Sequence, residues 1–227
     1  MRWAINQPTT HPTRVSELVP DAVLVGRSAA ALYAGHRDSY DHDHVLTDLA
    51  DRFDAVLEAL ESQEGWVTNR VAAGKIILGE LGGIETGIRQ LIRLTPLEVT
   101  QVHLPSGQLL TAPTADETLR VKAFLVVRRN QTRDFLDVAA LADCFGIADS
   151  GAILARIDEY YADQRGDGDG VGSQAARQLA DPQPADASTT RNLGRYKNLA
   201  ARWHDWPAVV AVCRQVAAAM LIEEEGQ

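Results

Sequence analysis

The stretch Ala22–Leu46, AVLVGRSAAALYAGHRDSYDHDHVL, decides how the rest of the chain is read. It opens with a short apolar run ending in glycine, AVLVG, which reads as a buried strand. Gly26 lets the backbone turn tightly and lets an anionic group approach the main chain. SAAALYAG then reads as a small-residue helix, with Ser28 as its cap and Gly35 as its terminator. The free N–H groups and dipole at such a helix start favour a phosphate. HDHVL reads as a second extended segment, and alternation puts Asp41 and Asp43 on one face, His42 and His44 on the other. Two carboxylates on one face suit Mg²⁺ bridging the phosphates of a nucleotide. A zinc or nickel site is the competing reading of Asp41-His42-Asp43-His44, because histidine favours those metals. Alternation keeps the four side chains from converging, and no remote Cys/His cluster completes a tetrahedral set.

Downstream, TDLADRFDAVLEALES predicts a helix from Thr47, with Thr47 or Asp48 as its cap. WVTNRVA, GKIILGEL and IETGIRQLIRL read as strands, and Gly82-Gly83 between the last two marks a hairpin. LEVTQVHL and QLLTAP, joined through Pro105-Ser106-Gly107, read as another strand pair. After Pro113 the periodicity becomes helical: ADETLRVKAFLVVRRN and TRDFLDVAALADCF are capped at Thr114 and Thr132, and AILARIDEYYADQ adds a third helix. A Gly-, Asp-, Pro- and Ser-rich segment at 164–190 reads as a flexible loop, in which Asp167 and Asp169 only superficially resemble a calcium loop. The tail is expected to form two helices, one on either side of Asp205. Two regions follow: an α/β core over 1–113 with a mixed sheet, and an α-helical region over 114–227.

Bulk properties narrow the function. The 227 residues carry 22 Lys+Arg against 31 Asp+Glu, a net charge of −9, which argues against a generic basic nucleic-acid coat. Cys144 and Cys213 lack metal or redox spacing and read as buried thiols of a reducing cytosol. MRWAINQPTTHPTR has no signal-peptide core and no run approaches a membrane span, so a cytoplasmic protein with no membrane partner is expected.

The order strand–Gly–x–Ser–helix–loop–Asp–x–Asp resembles the signature of the DNA-polymerase-β-like nucleotidyltransferase superfamily. Within it, VGRSAAALYAGHRDSYDHDHV looks like one block of the AbiEii/AbiGii toxin family. That block runs glycine-glycine-threonine, alanine-rich helix, glycine-histidine-arginine, serine, aspartate-x-aspartate. A second family block, a helical lysine followed by an arginine–aspartate pair and another aspartate, is matched by Lys122, Arg133-Asp134 and Asp137 in VKAFLVVRRNQTRDFLDVAAL. The MenT toxins belong to the same group, and the resemblance covers roughly Ala22 to Leu141. Two departures stand out. Arg27 occupies the place of a second small residue, and Glu85 and Glu98 do not clearly match the third carboxylate that polymerase-like enzymes often carry.

The resemblance implies an α+β fold with a minimal nucleotidyltransferase core and a helical C-terminal half. It implies transfer of a nucleoside monophosphate from an NTP to the 3′ end of tRNA, by a toxin held in check by a cognate antitoxin. Asp41 and Asp43 would hold Mg²⁺. Gly26, Arg27, Ser28 and Arg37 would serve the triphosphate, and Lys122 would neutralise its developing charge. Asp137 would orient that lysine or act as a base, with Asp134 as a further catalytic candidate. Without the resemblance, Lys122 reads as one end of a helix-face salt bridge, and His36-Arg37 as a solvated turn.

Arg128, Arg129 and Arg133 form a basic cluster suited to RNA phosphates, or simply a solvated helix end. Arg191, Arg195, Lys197 and Arg202, interleaved with Tyr196 and Trp203, make a second basic and aromatic region, or an amphipathic helix with a packed aromatic edge. Two other functions stay open: nucleotidyl transfer to a small molecule such as an aminoglycoside or to a protein side chain, and a catalytically degenerate module that binds a partner.

Overall fold

Alternating apolar residues punctuated by glycine build the first half of the chain, and small-residue helical periodicity builds the second. The computed structural model describes residues 11–39, 41–104, 107–165, 168–196 and 198–225. Expectations placed on residues 1–10, on Pro105-Ser106, on Asp167 and on Lys197 lie outside the described residues. The chain divides into two units, one of Met1–Leu32 with Ser39–Thr114, the other of Tyr33–Asp38 with Ala115–Gln227.

The first unit contains α1 (His11–Leu18), β1 (Val23–Val25) and the start of α2 (Gly26–Ala34). β2 (His42–Leu46), α3 (Phe53–Glu61), β3 (Trp66–Ala72), β4 (Ile76–Leu81) and β5 (Ile84–Gln90) follow. The five strands form one mixed sheet in the order β1-β2-β5-β4-β3. Only β2 and β5 run parallel, with Asp43 opposite Gly87 and His44 opposite Ile88. The β4–β5 hairpin closes through Gly82 and Gly83, both at positive φ (58° and 85°), the conformation a two-residue turn of this hand demands. β6 (Val99–His103) and β7 (Leu109–Pro113) form a separate antiparallel pair. Leu46, Ile77, Leu81 and Ile88 of the sheet bury against Val15 of α1, Val19 just after it, and Phe53, Val56 and Leu60 of α3.

α3 starts six residues later than its periodicity suggests. Residues 48–52 first form a turn, in which the amides of Asp51 and Arg52 donate to the Asp48 carbonyl (3.1 and 3.3 Å). This turn drops Leu49 fully into the core, and the Asp48 carboxylate accepts from Arg52 Nε (2.9 Å) instead of capping the helix. Ser28 is likewise not a cap. α2 begins at Gly26, and Ser28 lies within its first turn. Gly35, at φ 55°, ends α2 in the left-handed conformation that terminates helices.

The second unit is helical: α4 (Ala115–Arg129), α5 (Thr132–Phe145), α6 (Ile147–Ala155), α7 (Ile157–Tyr160), α8 (Val171–Ala180), α9 (Ala187–Thr190) and α10 (Trp206–Glu225). α5 and α6 meet at a 120° bend, at which Gly146 takes φ 97°. Thr132 is the first residue of α5 and does not cap it. The Asp186 carboxylate does, accepting from the Thr132 amide (2.7 Å) and hydroxyl (2.8 Å).

Three further expectations are corrected. The segment taken as a loop over 164–190 holds α8, whose Val171, Ala175 and Leu179 recur at helical spacing and are fully buried or nearly so. Small side chains, not disorder, account for its composition. Among the described residues of the tail, those before Asp205 make 3-10 turns at Leu193–Arg195 and Ala201–Trp203, and one helix, α10, stands where two were expected. Trp206–Glu223 of α10 is also long and apolar enough to cross a membrane, contrary to the reading of the sequence. Packing accounts for part of that composition: Val209, Val212, Cys213, Val216 and Met220 are buried, and α10 lies against α5, α6 and α8, while Leu221 and Ile222 are exposed. Gly151 of α6 faces Ala219 so closely that a Cβ there would overlap it.

Candidate functional site

In the first unit the turn between β1 and α2 and the start of β2 meet. Asp43 lies in β2, paired with Val25 on one side and Gly87 on the other, while Asp41 immediately precedes the strand. Gly26, at φ 71°, lies against Asp43: a Cβ built there would come 3.1 Å from Asp43 Oδ2. A Cβ on Gly87 would come 3.1 Å from Asp43 Oδ1. Two glycines, one just past the end of β1 and one in the middle of β5, therefore leave room around this carboxylate that any side chain would fill. Ser28 ties the same turn to Asp41. Its hydroxyl donates to the Asp41 carbonyl (2.7 Å) and lies 3.0 Å from Ser39 Oγ and 3.3 Å from His42 Nδ1.

Each carboxylate holds an arginine. The Arg27 guanidinium is 2.5 Å from Asp41 Oδ2, and Arg89 Nε is 3.5 Å from Asp43 Oδ1. Burial by itself would raise the Asp41 pKa, but the hydrogen bond and charge of Arg27, with the Ser39 hydroxyl on Oδ1 (3.0 Å), bring it below the usual carboxylate value. Arg89 was not singled out in the sequence, because only the parallel β2–β5 register brings it to Asp43. Glu85 lies on β5 two residues before Gly87, and so on the sheet face that carries Asp43. His44 turns the other way and is fully buried. Burial, with the neighbouring charge of His42, lowers its pKa to about 3, so it packs as a neutral ring. Among the described residues no group of three or more His, Cys, Asp or Glu side chains forms a metal-binding cluster. Two oxygen donors in a glycine-lined recess, one of them held ionised, fit Mg²⁺ better than a metal that seeks nitrogen or sulfur.

In the second unit the residues of the other predicted block gather around Asp137. Lys122 of α4 is not on a solvated helix face. Its Nζ is buried 2.7 Å from Asp137 Oδ2. His36 and Arg37 are not a solvated turn either. Both are 3% exposed, with His36 Nε2 2.8 Å and Arg37 Nη2 2.6 Å from Asp137 Oδ1. Burial would raise the Asp137 pKa, but Arg37, Lys122 and His36 outweigh it and hold the carboxyl well below its usual range. Arg37 also lies over the Tyr196 ring, 5.5 Å from its centroid. Asp134 is buried as well. Arg129 pairs with its Oδ1 at 2.8 Å, and burial raises its pKa despite Arg129 and Lys122.

The two basic regions carry less free charge than their composition suggests. Arg129 is committed to Asp134, while Arg128 is exposed and Arg133 half-buried at the start of α5. Arg202 pairs with Asp143 (2.5 Å) and lies over Trp203, which is itself buried.

No protein-family model matches the sequence. Residues of this chain are 40% identical over 131 positions to the mycolic acid-containing lipids exporter MmpL11 of Mycolicibacterium smegmatis, covering 58% of this chain and 13% of that one. They are 38% identical over 149 positions to the heme uptake protein MmpL11 of Mycobacterium tuberculosis H37Rv, covering 63% and 14%. The chain thus spans about an eighth of the length of these curated relatives, and export and heme uptake remain statements about them. Among solved structures, the chain is similar to MenT4, a nucleotidyltransferase toxin of M. tuberculosis H37Rv. The TM-score is 0.55 at 16% identity, over 99% of this chain and 90% of that one. At that identity the likeness concerns the fold: an α+β nucleotidyltransferase fold, with a mixed five-stranded sheet and a helical C-terminal half.

Proposed function

We propose that the chain is a Mg²⁺-dependent nucleotidyltransferase that moves a nucleoside monophosphate from an NTP to the 3′ end of tRNA. It would thereby act in the cytoplasm as a translation-blocking toxin restrained by a cognate antitoxin. The observation that carries this reading is the turn Gly26–Ser28, which touches both Asp41 and Asp43 and frees space around Asp43 through Gly26 and Gly87. Asp41 and Asp43 would hold Mg²⁺, which when bound supplies charge neutralisation at the phosphates.

The chain's own groups would do the rest. The Gly26 turn admits the triphosphate close to the backbone, and Arg27 and Ser28 at the start of α2 offer it donors. In the transfer the acceptor oxygen bonds to the α-phosphorus as the bond from that phosphorus to pyrophosphate breaks, and the hydroxyl proton passes to solvent. Asp137, held strongly ionised by three donors, is a poor base, so its role is to position Lys122 and Arg37. Arg128 and Arg133 would meet RNA phosphates.

A second reading, transfer to a cationic small molecule or a protein side chain, draws support from the net charge of −9 and from the loss of Arg129 to Asp134. Incubation with Mg²⁺, total RNA and each labelled NTP in turn separates the two on a gel. Label in the tRNA band, absent with Asp43→Ala, supports the toxin, and label confined to protein or small molecules supports the second reading. No label from any NTP overturns both.

A further inference from the structure

Two carboxylates brought to one strand end repel each other unless something cationic compensates them. Here each has its own guanidinium: Arg27 on Asp41 at 2.5 Å, and Arg89 on Asp43 at 3.5 Å. The two arginines come from different elements, the first turn of α2 and the middle of the sheet. They approach the pair from β1's side and from β5's side. Both remain partly open to solvent, at 35% and 46% exposure. The four side chains together carry no net charge. Each divalent cation added to the carboxylates therefore leaves a surplus of two positive charges, now borne by guanidinium groups without their former partners.

A guanidinium is a planar fork that matches phosphate oxygens in pairs, and it keeps its charge under all ordinary conditions. We infer that Arg27 and Arg89 act as exchangeable counter-ions: they hold Asp41 and Asp43 while the site is free, and pass to the triphosphate when a divalent cation takes the carboxylates. Arg89 thereby becomes a nucleotide-contacting residue, and β5 a wall of the triphosphate site. This inference rests on the reading of Asp41 and Asp43 as the metal-holding pair.

The exchange makes metal and nucleotide binding mutually dependent. Without nucleotide the arginines compete with the cation, and with nucleotide they no longer do. Such coupling is reciprocal, and typical couplings run from about fivefold to about a hundredfold in affinity. It also has a sign that a merely structural ion pair would not produce. Removing either arginine should tighten binding of the cation alone and weaken binding of the nucleotide.

The test uses the full chain and two probes, Mn²⁺ alone followed by electron paramagnetic resonance, and a non-hydrolysable NTP analogue at saturating Mg²⁺ followed by fluorescence. Arg89→Gln and Arg27→Gln should each bind Mn²⁺ about fivefold or more tightly than the wild type, and the analogue about fivefold or more weakly. Arg89→Lys keeps the charge but loses the fork, so it should leave Mn²⁺ binding near the wild-type value and still weaken the analogue. Circular dichroism melts of all three variants establish that they fold. Unchanged or weaker Mn²⁺ binding in both glutamine variants overturns the exchange, as does unchanged analogue binding. If the wild type binds both probes and transfers label while the variants behave as wild type, only the exchange fails. If the wild type binds neither probe, the assignment of Asp41 and Asp43 fails with it.

Discussion

A carboxylate removed from water must be compensated by the groups that touch it, and Asp137 shows the consequence at the scale of one residue. It is fully buried and meets Lys122, Arg37 and His36. Truncation to alanine leaves buried cations without a partner, a change that costs about 3–5 kcal/mol. The urea midpoint of Asp137→Ala should fall accordingly, and a wild-type midpoint would contradict the cluster. The same geometry sets a pH dependence. A carboxyl whose folded pKa is depressed stabilises the fold above its unfolded value, near 4, and loses that contribution as pH falls through the depressed value. The stability gap between wild type and Asp137→Asn should therefore hold from about pH 7 to about pH 5 and close only in stronger acid. Gly26 is the other residue on which much rests. At φ 71°, alanine there costs about 1–2 kcal/mol of backbone strain, and its Cβ presses on Asp43 Oδ2 from 3.1 Å. Gly26→Ala should lose nucleotidyl transfer out of proportion to its lowered melting temperature. That Gly26 and the aspartate pair lie together was legible in the sequence, because Gly-x-Ser and Asp-x-Asp are local patterns. Arg89 was not, because nothing within its own strand announces a pairing that depends on β2 lying parallel to β5.

At the scale of elements, legibility followed how local each signal is. The β4–β5 hairpin is declared by two adjacent glycines between alternating runs, and it forms there. The start of α3 was misplaced because a tertiary demand, the burial of Leu49, overrides the capping preference of Thr47 and Asp48. α8 is hard to read in the sequence because its buried stripe is mostly small residues, Gly172, Ala175 and Ala176 beside Val171 and Leu179, within a Gly- and Ser-rich segment of the kind flexible linkers share. The cap of α5 was assigned to the wrong residue for a related reason: its true partner, Asp186, lies 54 positions away. Asp186→Ala should cost about 1 kcal/mol, and up to about 2, with faster amide exchange in the first turn of α5. Unchanged exchange there would show that the carboxylate is no cap.

At the scale of the whole molecule, charge limits how RNA can be met. A chain of net charge −9 attracts a polyanion poorly at long range, so contact would depend on a few local cations such as Arg128 and Arg133. Two or so phosphate contacts predict that RNA labelling falls by about tenfold between 50 and 200 mM salt, far less than for a basic RNA-binding protein. A fall of a thousandfold would require an RNA surface larger than these arginines supply. The central claim, that Asp41 and Asp43 serve nucleotidyl transfer, is tested most directly by where the phosphorus goes. Parallel reactions with NTP labelled at the α- or the γ-phosphorus should put α-label on the acceptor and release γ-label as pyrophosphate. Asp41→Asn and Asp43→Asn should reduce both by about a hundredfold or more. Label arriving on the acceptor from the γ-position, or transfer that survives both substitutions, would contradict the account.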